Sequence, residues 1–137
     1  MRVVTGPETW PLRRRVLRAD HPHHTERFPE DEQPGTLHLA AFGEDGAVVG
    51  VATFIPSGDG RFQLRGMAVD PAQQGSGIGR AIMDVAVDRL RAAGASVVWA
   101  NVRDSAIGFY ERMGWKVVGD GFINELGIPH HVADISL

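Results

Sequence analysis

The sequence predicts an α+β fold built around a central sheet, and three observations carry that prediction. Apolar runs at residues 36–42, 47–55 and 62–69 are separated by the turn signals Glu44-Asp45-Gly46 and Ser57-Gly58-Asp59-Gly60, the pattern of consecutive antiparallel strands. A glycine-rich turn then opens an amphipathic helix in which Ile82, Val85, Ala86, Leu90 and Ala93 recur at helical spacing. The apolar run at residues 97–102 follows that helix. It reads as a parallel, central strand, because parallel neighbours need a crossover connection of this kind.

The remaining elements follow in chain order. Residues 1–5 read as a short strand. Thr9 and Pro11 predict a helix start, since proline is tolerated in a first turn. Leu12, Val16 and Leu17 mark one face of that helix, and Arg13, Arg14, Arg15 and Arg18 read as its exposed remainder, with Arg14 or Arg18 within reach of an acceptor carboxylate. From residue 19 to 35 the pattern dissolves into proline, histidine and acidic residues, which predicts a long irregular loop of the sort that often carries function. The amphipathic helix is expected to run to about residue 93 and to end at Gly94, with Arg80, Asp84, Asp88 and Arg91 on its outer side. Asp104 is placed to N-cap a short helix ending at Gly114, and residues 115–118 and 132–137 read as two closing strands. No repeat and no linker interrupts the pattern, so residues 1–137 are expected to form one domain.

Composition excludes several classes of function. Apolar residues make up 43% of the chain, which suits an ordinary globular core. No apolar run approaches the ~20 residues needed to cross a bilayer. Met1-Arg2-Val3-Val4 leads directly into Thr5-Gly6-Pro7 with no signal-peptide pattern, so a cytoplasmic setting without membrane partners is expected. The chain has no cysteine, which removes disulfides, thiolate catalysis and cysteine-based zinc sites. A net charge of −3 gives no support for nucleic-acid binding. His21, His23 and His24, with Glu26, Glu30 and Asp31, supply enough donors for a metal, but no distant partner is evident to fix a geometry. The stretch therefore reads as a solvated loop, and no metal is expected.

Function is most legible in Gln73-Gln74-Gly75-Ser76-Gly77-Ile78-Gly79-Arg80, between a strand ending in Val69-Asp70-Pro71 and the amphipathic helix. Glycines at alternate positions let the backbone curl and approach a ligand closely. The helix beyond them opens with unpaired N–H groups and the positive end of its dipole, a place to hold phosphate. A Walker loop requires Gly-Lys-Ser/Thr, whereas Gly79 is followed by Arg80 and Ala81. The dinucleotide fingerprint G-x-G-x-x-G fails from Gly75, which meets Arg80, and from Gly77, which meets Ile82.

Gln74-x-x-Gly77-x-Gly79 instead resembles the Q/R-x-x-G-x-G/A signature of the GNAT acetyltransferase superfamily. Two further segments match that family in order: Met67 to Pro71 resembles its fourth strand and exit, and Ala106 to Trp115 its A-x-x-F-Y-x-x-x-G-F/W segment. Gly127-Ile128-Pro129-His130 is similar to a tail found in a subset of members. The resemblance spans nearly the whole chain. It implies an α/β/α layered α+β domain, with a mixed, mostly antiparallel sheet whose fourth and fifth strands splay apart. It also implies acetyl-CoA as co-substrate and N-acetyltransferase activity on a primary amine. The pantetheine arm would lie along Met67, Ala68 and Val69, and the pyrophosphate on Gln74, Gly75, Ser76, Gly77, Ile78 and Gly79, with Arg80 nearby.

The same resemblance assigns chemistry to individual residues. An alkyl ammonium of pKa about 10.4 is neutral in only ~0.04% of molecules at pH 7, so a base or water chain that removes its proton assists the reaction. The Val69 amide is the family's position for holding the developing oxyanion. Tyr110, the chain's one tyrosine, matches the residue that donates a proton to the departing CoA thiolate; without the flanking motif it would read as a buried aromatic on a short helix. Glu125 and His130 are the candidates for the base, or else stabilise the strand connection or a subunit contact. Many relatives place an asparagine where this chain has Arg103, with Asn101 two residues earlier; Arg103 either pairs with a CoA phosphate or faces solvent. Ala106 and Phe109 would line the pantetheine arm. A non-catalytic acyl-CoA-binding or sensor module on the same fold is the competing class, against which Tyr110 argues. The acceptor stays open among small amines, amino acids, antibiotics and protein N-termini, and dimers are common in the family.

Overall fold

The computed structural model describes residues 1–20 and 25–137. In chain order the elements are β1 (Arg2–Val3), α1 (Gly6–Asp20), a 3-10 turn (Pro29–Glu32), β2 (Leu37–Phe42), β3 (Val48–Gly58), β4 (Arg61–Val69), a 3-10 turn (Pro71–Gln73), α2 (Ile78–Ala92), β5 (Val97–Arg103), a 3-10 turn (Asp104–Ala106), α3 (Ile107–Arg112), β6 (Lys116–Ile123) and β7 (Pro129–Ser136). The strands form one seven-stranded sheet in the order β1-β2-β3-β4-β5-β7-β6. Every adjacent pair is antiparallel except β4 and β5, which are parallel and joined through α2.

Alternation along β3 shows how the layers arise. Val51 joins Leu12 and Val16 of α1 in one apolar cluster, whereas Ala52 and Phe54 join Ile82, Ala86 and Leu90 of α2 in the other. Tyr110 of α3 and Trp115 belong to the second cluster as well. Helix α1 thus covers one face of the sheet, and α2 and α3 cover the opposite face, the α/β/α layering expected from the sequence. No helix among the described residues is long and apolar enough to cross a membrane.

Several local expectations need correction. Helix α1 begins at Gly6, ahead of Thr9, because Glu8 reaches back to accept from the Thr5 N–H and Oγ1–H, both at 3.0 Å. Thr5-Gly6-Pro7-Glu8 is the T-x-x-E start signal, which places Pro11 inside the helix. The 19–35 segment is more ordered than a loop: α1 continues through Asp20, and residues 29–32 form a helical turn. His21, His23 and His24 lie outside the described residues. Asp104 does not cap α3, since its carboxylate bonds His131 Nδ1 at 2.7 Å. In α2 the buried stripe includes Met83, while Ala93 is exposed. Gly94 does end the helix: at φ +89 it closes a Schellman turn, with Ala95 N–H on Leu90 O at 2.9 Å and Gly94 N–H on Arg91 O at 3.0 Å.

The arginines of α1 divide. Arg14 and Arg15 are exposed as expected, but Arg13 is fully buried (0% exposed). It donates through Nη1 to Asp31 Oδ2 at 2.9 Å and to Glu26 O at 3.0 Å, and through Nη2 to Thr53 Oγ1. Burial would raise the Asp31 pKa. Hydrogen bonds from Arg13, Trp10 and the Phe28 N–H outweigh it and hold the carboxyl below its ordinary value.

Candidate active site

The site is built where β4 and β5 part. Their ladder contains three pairs, Arg61 with Val97, Phe62 with Val98 and Gln63 with Trp99, yet β4 continues to Val69 and β5 to Arg103. From Leu64 onward the β5-facing edge of β4 therefore has no strand beside it. A bulge drives the divergence. Thr53 pairs with Arg65 and Val51 with Ala68, so Ala52 on β3 faces both Gly66 and Met67. Gly66 takes φ +69, a conformation glycine adopts at little cost.

Backbone direction on β4 follows from its exit. Asp70 N–H donates to Val49 O at 2.8 Å and so points to β3. Strand alternation then turns the Val69 N–H and C=O to the open edge. Consistently, the Val69 carbonyl accepts from Gln74 Nε2 at 3.3 Å, which ties the motif glutamine to the strand it follows.

The glycine loop divides its work among its residues. Gly75 and Gly77 have φ +84 and +86, with open space where a Cβ would stand, so backbone conformation selects glycine there. At Gly79 packing selects it, because a Cβ would lie 3.0 Å from Phe109 Cζ. Gln74 N–H and Ser76 N–H close turns on Pro71 O and Gln73 O. Gly75, Gly77, Ile78, Gly79 and Arg80 make no such backbone bond among the described residues, which leaves amides without a backbone partner at the start of α2; Gly75, Gly77 and Arg80 are exposed, Ile78 is half-buried and Gly79 is buried.

Tyr110 lies on the α2 side of the sheet, 9% exposed, with Phe109 edge-on at 5.3 Å and Trp115 at 5.0 Å. Burial pushes its hydroxyl up to about 12, so it stays a phenol at physiological pH. His130 lies on the other face. It is in register with Arg103, which alternates with the buried Val102, and it is stacked on Phe122 at 5.6 Å. Its Nδ1–H donates to Ile128 O at 2.8 Å, so the neutral ring presents a bare Nε2. Asn101 and Arg103 share that face, away from α2. Glu125 is exposed at the tip of the β6–β7 hairpin, which the Asn124 side-chain Oδ1 closes by accepting from Leu126 and Ile128 N–H. Ala106 sits at the start of α3, packed on the α2-side core. Met67, Ile78, Ala106, Phe109 and Tyr110 thus pack on the α2 side, with Gly79 against Phe109, whereas the Ala68 side chain joins the α1-side cluster and His130, Asn101 and Arg103 lie on that α1 side of the sheet. Of two surface cavities of about 370 and 400 Å³, one lies over Met83, Val87 and Trp115 and reaches the site only at Arg80, and the other lies over Leu12 and Val48.

A family model described as "Acetyltransferase (GNAT) family" matches residues 7–115. The chain belongs to the GNAT acetyltransferase family. A Bacillus subtilis (strain 168) protein named uncharacterized N-acetyltransferase YitI is 28% identical over 138 residues, covering 96% of this chain and 91% of that protein. Among solved structures, an acyl-CoA N-acyltransferase from Pseudomonas aeruginosa aligns with a TM-score of 0.79 at 20% identity, over 93% of this chain and 87% of that one. An aminoglycoside 6'-N-acetyltransferase complexed with coenzyme A aligns with a TM-score of 0.76 at 15% identity, over 99% and 97%. At these identities the two structures speak for the fold. The GNAT family model and the named relatives together make the protein an acyltransferase enzyme.

Within this GNAT fold, two features escaped the sequence reading. Gly66 is the more instructive, because an isolated glycine inside a strand pattern is a known bulge signal. The Arg13–Asp31–Thr53 cluster has no comparable local mark.

Proposed function

We propose that this GNAT enzyme transfers an acetyl group from acetyl-CoA to a primary amine by direct attack in a ternary complex, with residues 1–137 acting as one domain. The observation that carries the reading is the unpaired edge of β4 leading, through the Pro71–Gln73 turn, to the amides of Gly75, Gly77, Ile78, Gly79 and Arg80, which have no backbone partner among the described residues. An extended amide-bearing arm could add to such an edge as a strand does. Its phosphates would then meet the helix N-terminus. Among the residues, the loop fits this ligand because Gly75 and Gly77 leave open space beside their backbones.

The rest of the machinery divides by face. Met67, Ala68 and Val69 hold the arm, with the Val69 N–H directed at the gap and available to the carbonyl oxygen of the reacting group. The amine enters from the face of His130, whose bare Nε2 takes its proton; Glu125, at the hairpin tip, serves at most through water. As the amine nitrogen bonds to the acyl carbon, the C–S bond breaks and the electron pair leaves on sulfur. Tyr110 donates its O–H toward that sulfur. A phenol at about 12 is a weaker acid than a thiol near ~8.5, and the gap makes complete transfer uphill by roughly 5 kcal/mol. Tyr110 therefore acts mainly as a hydrogen-bond donor that steadies the thiolate until it is protonated. Phe109 and Ala106 wall the arm. Asn101 and Arg103, on the face of His130, belong to the acceptor side more readily than to the phosphates.

Cytoplasmic residence fits a chain without cysteine. A homodimer would use the sheet edge at β6, where Val118, Phe122 and Ile123 are exposed, and size-exclusion chromatography would detect it.

Thermal unfolding with acetyl-CoA, CoA, ATP and NAD tests the proposal. A ligand at about 100 times its dissociation constant stabilises by ~2.7 kcal/mol, a shift of several degrees. A shift with acetyl-CoA and CoA alone supports it and leads to an amine screen with Tyr110→Phe as control. No shift with either defeats it. A shift without turnover of any amine would favour the acyl-CoA sensor.

A further inference from the structure

We propose that Arg13 is a positioning residue: with the Phe28 ring it holds the β4 bulge at Gly66 and thereby aims Met67–Val69 into the gap. Only the kinetic part of this proposal rests on the acetyl-transfer reading.

Three observations converge on the bulge. A Cβ on Gly66 would stand 2.7 Å from Phe28 Cε2 and 2.9 Å from Arg13 Nε, so both side chains are pressed against that backbone. The Arg13 guanidinium carbon lies 4.1 Å from the Phe28 ring centroid, and that of Arg65, the residue before the bulge, lies 4.2 Å from it. Two guanidinium groups at that height cannot share one ring face, so Phe28 is sandwiched. Finally, Arg13 Nε is buried without a hydrogen-bond partner among the described residues, and it is this atom that faces Gly66.

Stability alone does not account for an arginine here. A buried ion pair is often matched or bettered by apolar residues of equal volume, because desolvation offsets its attraction. What the guanidinium adds is direction. Its fork reaches the Asp31 carboxylate, the Glu26 carbonyl and the Thr53 hydroxyl at once, fixing one plane between α1, the 26–31 segment and β3. Phe28 lies against that plane, and Gly66 against Phe28. Displacement of about 1 Å at reacting atoms can cost ~100-fold in rate, so a bulge held in one position matters to Val69.

The test uses Arg13→Lys, which keeps the charge and loses the planar fork, and Phe28→Leu, which keeps the ion pair and loses the ring. In ¹⁵N-labelled full-length protein, both should shift the amides of Gly66, Met67, Ala68 and Val69 more than those of Ala40 and Ala41 on β2. Both should lower kcat for acetyl transfer at least tenfold while KM for acetyl-CoA changes less than threefold and the acetyl-CoA-induced rise in Tm persists. A folded variant whose residue 66–69 amides stay in place, or whose kcat stays within twofold of the parent, overturns the proposal. If Arg13→Lys does not fold, Phe28→Leu decides by the same readouts. If acetyl-CoA fails to stabilise the parent protein, the acetyl-transfer reading falls, and the amide shifts still decide the role of Arg13.

Discussion

Trp115 is bound to Tyr110 twice over. Its backbone N–H donates to the Tyr110 backbone carbonyl at 3.1 Å, and its indole meets the Tyr110 ring at 5.0 Å and 69°. Gly114 at φ +92 makes both possible, with its own N–H on Glu111 O at 3.0 Å. This is the Schellman closure of α3, in which the residue after the glycine packs back on the last turn. The F-Y-x-x-x-G-W spacing is therefore a helix-ending device that also orients the phenol.

Trp115→Ala should destabilise by about 3–5 kcal/mol, the usual cost of removing a buried large aromatic ring. Trp115→Phe keeps the edge contact and deletes an indole N–H that is buried without an acceptor among the described residues. It should stay within about 1 kcal/mol of the parent. Urea melts of the two variants separate ring packing from the N–H, and an equal loss in both would contradict this account.

Tyr110 has a pH signature. Its folded pKa is raised to about 12 by burial, above the ordinary 10.0. The resulting stability is complete below pH 10 and is lost as pH rises toward 12, because the unfolded chain releases its proton first. Two units correspond to roughly 2.7 kcal/mol. Tyr110→Phe should remove this alkaline slope, measured by denaturant melts between pH 9 and 12. The same variant should retain acetyl-CoA binding while acetyl transfer falls by about 100-fold.

The loop glycines should fail for different reasons. Gly77→Val forces a β-branched residue to φ +86 and should cost about 1–2 kcal/mol while abolishing the acetyl-CoA thermal shift. Gly79→Ala should preserve the loop and displace Phe109, whose ring would stand 3.0 Å from the new Cβ. A Gly79→Ala protein with unchanged Tyr110 and Phe109 proton shifts would show that the packing is slack.

Asp31→Asn leaves the Arg13 charge buried beside a neutral group and should cost about 3–5 kcal/mol at pH 7. Since the Asp31 pKa is held below 3.8, its contribution is present above that pH and lost as pH falls further. An acid melt in which parent and Asp31→Asn converge near pH 2 is expected; parallel curves would exclude Asp31 as a source of acid sensitivity.

What the sequence determined by itself was local. Strand and helix identities, the Schellman glycine at position 94 and the glycine-rich turn of residues 73–80 ahead of α2 depend on periodicity and on residues a few positions apart. The start of α1 was legible too, in Thr5-Gly6-Pro7-Glu8, and was misread because Thr9 and Pro11 offered a second plausible start. Tertiary structure decided the rest. Within Arg13-Arg14-Arg15 nothing local distinguishes the residue that is fully buried, because its partners Asp31 and Thr53 lie 18 and 40 residues away. Asp104 could cap a helix by its position, but a histidine 27 residues on takes its carboxylate. The separation of Tyr110 and His130 onto opposite faces likewise appears only once β7 enters the sheet between β5 and β6. Side-chain charge is a property of the residue; whether it is solvated, paired or buried is a property of what the fold brings beside it.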